Sequence, residues 1–205
     1  MTHHDCDLDT KLVYLGRDPK RDCGSVNPPV HRTSTVIFND LAQFRDYNSG
    51  KLPHFTSYGR YGSPTTTGLE EALAALEGAD YAITTGSGLA AITTSLLAFL
   101  STGDHALFPD SIYGSARDFI EHELVRMGIS IEFYDPTIGA DIKTLMKPNT
   151  KIVYCESPGS LTFEMQDIPA IAHVAHAGGA IVIADNTWAT PLLMKPFDLG
   201  VDISI

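Results

Sequence analysis

From His105 to Ala184 short apolar runs alternate with stretches of helical spacing, and this alternation limits the folds open to the chain more than any other feature. His105 to Phe108, Ser130 to Tyr134, Lys151 to Cys155 and Ala180 to Ala184 read as strands. Between them, residues from about Ser115 to Met127 and from about Pro169 to Ala177 read as helices. Such an order predicts parallel βαβ units, with helices covering both faces of one mostly parallel sheet. Upstream, a helix capped by Thr65-Thr66-Thr67 carries Leu69, Leu73 and Leu76 and closes at Gly78. A second runs from Ser87 through Leu100, with Gly103 ending it.

The first sixty residues lack this order. They carry many turn formers, such as Asn27-Pro28-Pro29 and Asn48-Ser49-Gly50, and one β-branched run, Thr33 to Phe38. They read as an extended arm with little core of its own. Ordering backbone costs about 1–2 kcal/mol per residue, so another surface, plausibly a second subunit, must cover it. The expected division is an arm over 1–60 and an α/β domain over 61–205.

Composition narrows the function. Of 205 residues, 25 are acidic and 14 basic, giving a formal charge of -11. That balance, without a basic cluster, argues against nucleic acid or an anionic lipid surface as partner. Cys6, Cys23 and Cys155 are odd in number and widely spaced, which fits neither a disulfide framework nor a zinc knuckle. The polar start and the lack of a long apolar run point to the cytoplasm.

In sheets of this kind functional residues gather at the carboxyl ends of the strands. Three segments qualify. Gly86-Ser87-Gly88-Leu89 opens a helix, where free N–H groups and the helix dipole favour a phosphate, although a capped turn explains it equally. It matches neither a nucleophile elbow nor a Walker loop. Glu156-Ser157-Pro158 follows a strand, and Asp185-Asn186-Thr187-Trp188 follows the apolar Ala180 to Ala184. Asp185 reads either as a turn cap or as the partner of a protonated pyridine nitrogen. Tyr58-Gly59-Arg60-Tyr61-Gly62 joins two phenols to a guanidinium suited to phosphate, or is a surface turn. Tyr113 is a half-buried aromatic or a plate for a flat ligand. His173 and His176 stand three apart on a helix, but no further ligands are placed to complete a metal site.

Taken together these residues resemble the Cys/Met-metabolism family of pyridoxal-phosphate enzymes, and within it the cystathionine β-lyases. The resemblance runs from Val26-Asn27-Pro28-Pro29-Val30 to Val201-Asp202-Ile203-Ser204-Ile205. It is most specific over Asp135 to Pro169, with Lys147-Pro148-Asn149-Thr150-Lys151-Ile152-Val153, Glu156-Ser157-Pro158-Gly159-Ser160 and Asp167-Ile168-Pro169. Trp188 and the pair Gly159-Ser160 look like the β-lyases, since relatives acting at the γ-carbon usually place Tyr or Phe and an Asn there.

The resemblance implies a large domain like that of aspartate aminotransferase, with a seven-stranded-type sheet incomplete at its carboxyl end. It implies that Gly88 and Leu89 hold the phosphate of pyridoxal phosphate through backbone N–H groups, joined by Tyr58 and Arg60 of a neighbouring subunit. Tyr113 would stack on the ring and Asp185 would pair with its nitrogen, and Tyr58 and Tyr113 count as catalytic. Ser160 stands where γ-acting relatives have an Asn near the ring hydroxyl, so that contact is not carried over. The implied reaction is β-elimination of cystathionine, or of cysteine, in a homotetramer built as a dimer of dimers. The alternatives are a cystathionine γ-synthase or γ-lyase, a methionine γ-lyase, or a non-catalytic fragment that binds a partner subunit. The family attaches its cofactor to a lysine in a Ser/Ala-x-Thr-Lys segment, which this chain does not reach; Lys195 lies in another context. The chain is accordingly expected to be an amino-terminal fragment, inactive alone.

Overall fold

The computed structural model describes residues 7–20, 22–52 and 55–205. Cys6 and the His3-His4 pair lie outside them. Contacts divide the chain into two compact units, residues 1–84 and 85–205.

The second unit is a five-stranded sheet in the order β2-β1-β3-β4-β5, every pair parallel. Its strands are β1 (His105–Pro109), β2 (Ser130–Tyr134), β3 (Thr150–Glu156), β4 (Ile181–Asp185) and β5 (Ile203–Ser204). The expected α/β class with a mostly parallel sheet is present, and the four expected strands agree to within a residue or so at each end. β5 is an addition. Its ladder covers two residues, too short to show any period in sequence.

Successive strand residues point to opposite faces, and the two cores follow that alternation. Ala106, Phe108, Ile152, Tyr154 and Ile183 face one core, with Ile92 and Leu96 of helix Gly88–Phe99 and Ala116, Ile120 and Leu124 beyond β1. Leu107, Val153, Cys155, Val182 and Ala184 face the other, with Ile168, Ile171 and Ala175 of helix Ile168–Ala177. The helix expected over 115–127 is instead an α-helical segment, Gly114–Phe119, continued by a π-helical one, Ile120–Leu124. The wider turn keeps Ala116, Ile120 and Leu124, spaced four apart, in line on the core.

In the first unit, α1 is Leu8–Tyr14, α2 is Leu41–Asn48 and α3 is Pro64–Glu77. We number the later helices α4 (Gly88–Phe99), α5 (Gly114–Phe119), α6 (Ile168–Ala177) and α7 (Thr190–Leu193). The first sixty residues are therefore not simply extended, since α1 and α2 lie within them. Asp40 caps α2 by accepting the Gln43 N–H at 2.7 Å. The cap of α3 is Ser63, two residues before the expected threonines; Pro64 occupies the first turn and Thr66 closes the capping box. Gly78 ends α3 with φ +80°, the left-handed conformation glycine adopts without penalty. Thr33 to Phe38 forms only a single antiparallel bridge, Thr35 to Tyr58. Phe38 instead packs against Phe44, Tyr47 and Phe55, with ring centroids 4.9–5.6 Å apart. Among the described residues no helix is long and apolar enough to cross a membrane.

Candidate active site

The carboxyl-terminal edge of the sheet in the second unit collects most of the residues singled out in sequence. α4 passes through the turn at 101–104 directly into β1, so with the helix packed antiparallel to the strands its first turn lies at that edge. Ser87 caps α4 by accepting the Ala90 N–H at 3.1 Å. The N–H groups of Gly88 and Leu89 have no protein partner among the described residues. Side chains built on Gly86 and Gly88 would meet nothing within 4 Å, so the turn that enters α4 is open around both glycines.

β3 and β4 end in register, with Glu156 directly beside Asp185. Both share the strand face of Tyr154 and Ile183, the face covered by α4 and α5. Asp185 is buried to 9% exposure and accepts the Thr187 N–H at 3.0 Å, so it does cap the turn that follows. Glu156 is 6% exposed and accepts the Tyr113 N–H at 2.8 Å through Oε2. Burial pushes the Glu156 carboxyl up to about 7, opposed by the Tyr113 N–H and assisted by the charge of Asp185. Burial, then the charges of Asp185 and Glu156, raises the Tyr154 phenol well above its ordinary range. That hydroxyl faces the carboxylates but finds no acceptor in hydrogen-bond geometry. Tyr113 itself is the cap residue of α5, half-exposed at the same edge.

Gly159 lies where the loop after β3 crosses the loop after β1. A Cβ there would stand 2.4 Å from Ser111 Oγ, so the position requires glycine. Ser160 N–H donates to the Ser111 carbonyl at 2.8 Å, tying the two loops together. Trp188, largely exposed, meets Phe163 edge to face at 5.2 Å.

The edge is polar beyond what the fold needs. Ser111 Oγ, Tyr154 Oη and Asn186 Oδ1 are buried without a hydrogen-bond partner. Buried polar atoms are nearly always satisfied, so an edge with three unmatched atoms, two free helix N–H groups and a buried carboxylate fits a polar, phosphate-bearing ring such as pyridoxal phosphate.

Sequence reasoning named Gly88, Leu89, Tyr113 and Asp185, and the structure brings these to one edge of one unit. Tyr58 and Arg60 lie in the other unit. There the Arg60 guanidinium stands 5.5 Å from the Tyr58 ring centroid and 5.0 Å from that of Tyr61, and donates to Tyr61 Oη at 3.1 Å. Gly59 permits this turn, because a Cβ would stand 1.9 Å from the Thr33 carbonyl oxygen. What sequence reasoning left without a role is Glu156 and its contact with Tyr113; the available signal was an acidic residue ending an apolar strand, as at Asp185. Burial lifts the Cys155 thiol to about 12, which makes it an inert core residue. His176 pairs with Asp202 at 2.9 Å.

Comparison with known proteins agrees with this geometry. The family model for Cys/Met metabolism PLP-dependent enzymes matches residues 9–205. A Rhizobium johnstonii protein provisionally assigned as a cystathionine beta-lyase is 50% identical over 97% of this chain and 49% of its own length. Cystathionine beta-lyase MetC of Escherichia coli is 39% identical over 97% of this chain and 51% of its own. An L-alanine/L-glutamate racemase of Wolbachia pipientis is also 39% identical, over 95% of this chain and 50% of its own. Among solved structures, metB from Corynebacterium glutamicum superposes with a TM-score of 0.86 at 29% identity, covering 98% of this chain and 50% of that one. The chain thus spans about half the length of the curated relatives it matches. With the sheet, its polar edge and a match over nearly the whole chain in agreement, the chain belongs to the Cys/Met-metabolism family of PLP-dependent enzymes, whose cofactor is pyridoxal phosphate.

Proposed function

We propose that this chain supplies the cofactor-holding part of a carbon–sulfur β-lyase that converts cystathionine and water to homocysteine, pyruvate and ammonia. The observation that carries the reading is Asp185, a buried carboxylate in register with Glu156 at the mouth of a parallel sheet whose edge holds unmatched polar atoms. Pyridoxal phosphate, when bound, supplies an electron sink for the charge left as the substrate's α-proton departs. Asp185 would hold the ring nitrogen protonated, which would set the strength of that sink. Gly88 and Leu89 bind the phosphate through their N–H groups at the start of α4. Tyr113 would stack on the ring. Residues 61–205 form the cofactor domain, and residues 1–60 an arm that brings Tyr58 and Arg60 to the phosphate of a neighbouring subunit. The exposed Val30, Ile37 and Leu41 support an arm covered by a second chain. The assembled protein is a cytoplasmic homotetramer, a dimer of dimers.

Trp188 and the close-packed Gly159 with Ser160 favour elimination at the β-carbon over the γ-carbon. Incubating the protein that carries this chain with cystathionine tests the reading: homocysteine and pyruvate are expected. Cysteine with 2-oxobutanoate would move it to γ-elimination, and inverted alanine or glutamate without thiol release would place it with the racemase from Wolbachia. D185N is expected to weaken pyridoxal-phosphate binding at least about tenfold, as loss of a charged hydrogen bond costs ~1.5–3 kcal/mol.

A further inference from the structure

Glu156 is a buried titratable group at the carboxyl-terminal edge that the assigned roles leave unused. Strand register sets it at the level of Asp185, and its Oε2 accepts the Tyr113 N–H at 2.8 Å across 43 residues of sequence. Tyr113 is the cap of α5, so its N–H has no helical acceptor, and among the described residues Glu156 alone receives it. The backbone of Glu156 is held in turn. The Glu156 N–H donates to Gln166 Oε1 at 2.9 Å, Gln166 Nε2 donates to Tyr134 Oη at 3.2 Å, and Tyr134 Oη donates to the Tyr154 carbonyl at 2.7 Å. A chain of buried hydrogen bonds thus fixes the strand position of the residue whose side chain accepts the Tyr113 N–H.

We propose that Glu156 is a positioning residue for the cofactor ring, pinning Tyr113 by its backbone and placing a second carboxylate beside Asp185 at the nitrogen edge. This rests on the cofactor site proposed above. The titratable and charged groups facing Glu156 are Asp185 on β4 and the Tyr154 phenol on its own strand; Glu164, on the loop beyond, sets Oε2 against Gly159. The remaining polar neighbours, the N–H groups of Tyr113 and Ser160, are neutral and favour the charged carboxylate. Ionised Glu156 then adds to the attraction of Asp185 for a protonated pyridine, and protonated Glu156 keeps the bond to Tyr113 but loses the charge.

Two variants separate these parts. E156Q keeps an acceptor for the Tyr113 N–H and removes the charge, whereas E156A removes both. In the protein that carries this chain, amide hydrogen exchange without cofactor is expected to be faster at Tyr113 in E156A and unchanged in E156Q. Pyridoxal-phosphate affinity, titrated by absorbance from about pH 5.5 to about pH 8.5, is expected to match wild type at the acid end for E156Q. It should be roughly three- to tenfold weaker at the alkaline end, as expected for loss of a nearby charge. Unchanged Tyr113 exchange in E156A, or an E156Q affinity that parallels wild type at every pH, overturns the proposal. D185N serves as the reference: if it weakens binding while the Glu156 variants do not, only the Glu156 role fails. If D185N binds like wild type, the cofactor-site reading fails with it.

Discussion

The two units place their apolar side chains differently. Among the described residues every buried hydrophobic one lies at or beyond Ile92, whereas the described part of residues 7–84 buries only Ser63 and leaves Val26, Val30, Ile37, Leu41, Tyr81 and Ile83 exposed. In the second unit β1, β3 and β4 are covered on both faces, so the residues at their ends inherit fixed positions. The first unit holds together through local devices: helix caps, one bridge and the ring cluster around Phe38. Asp185 and Glu156 are therefore set by buried strands of their own unit, while Tyr58 and Arg60 are held by the bridge from Tyr58 to Thr35 and by the contact of Arg60 with Tyr61, with no buried apolar residue of their own unit beneath them among the described residues. This difference fits the proposed assignment of the neighbouring-subunit role to the first unit and of the ring-holding role to the second.

The largest expected effect tests that contrast directly. Ile152, fully buried in the central strand β3, should lose about 2–5 kcal/mol of stability on truncation to alanine, as other large-to-small core changes do. Ile37→Ala, at 86% exposure, should change stability by less than ~0.5 kcal/mol in the dissociated chain. Urea unfolding of both variants checks this, and comparable losses would show that the first unit has a core of its own. A loss for Ile37→Ala that grows with protein concentration would instead identify the surface that covers it.

A second contrast is electrostatic. The folded-state value of Glu156, about 7, lies above its ordinary 4.5. Between those limits the folded protein keeps a proton the unfolded chain has released. Stability therefore falls as pH rises through this window, and the cost is complete above pH 7. At about 1.4 kcal/mol per unit it reaches roughly 3 kcal/mol. E156Q should therefore unfold at higher urea than wild type at pH 8, with the gap closing toward pH 4.5. The matching change in the first unit, D46N, removes an exposed ion pair with Lys51 and should shift stability by less than ~1 kcal/mol at either pH. A gap for E156Q that widened toward acid would contradict the buried, proton-holding carboxyl.

The same contrast explains what could be read from sequence. Strands covered on both faces leave continuous apolar runs bounded by turn residues, so β1, β3, β4 and α6 stand out, and an Asp closing such a run announces itself, while the edge strand β2 is legible by its alternation of Ile131 and Phe133 with polar residues. α1 and α2 bury nothing, and so leave no periodic stripe to read. The true cap of α3 was signalled by Pro64, which belongs to a first turn, more than by the threonines after it. Glu156 could be seen at a strand end, but its bond to Tyr113 depends on how β1 and β3 pair, a register no local pattern encodes. The π turn after α5 was hidden for the opposite reason: apolar residues four apart suit an α-helix nearly as well.

The smallest expected effect compares two helix caps of the same chemistry. Asp167 caps α6 by accepting the Ala170 N–H at 3.1 Å, and Asp40 caps α2 by accepting the Gln43 N–H at 2.7 Å. Removing an Asp cap costs about 1 kcal/mol of helix stability. α6 packs Ile168, Ile171, Ala172 and Ala175 into the core, so D167A should lower the unfolding free energy of the whole second unit by that amount, read as a lower urea midpoint. α2 buries no residue, so the same loss in D40A should remain local. Amide exchange should rise over Leu41–Asn48 while the strands of the second unit keep their protection. Faster exchange at β3 in D40A would mean that the two units unfold as one.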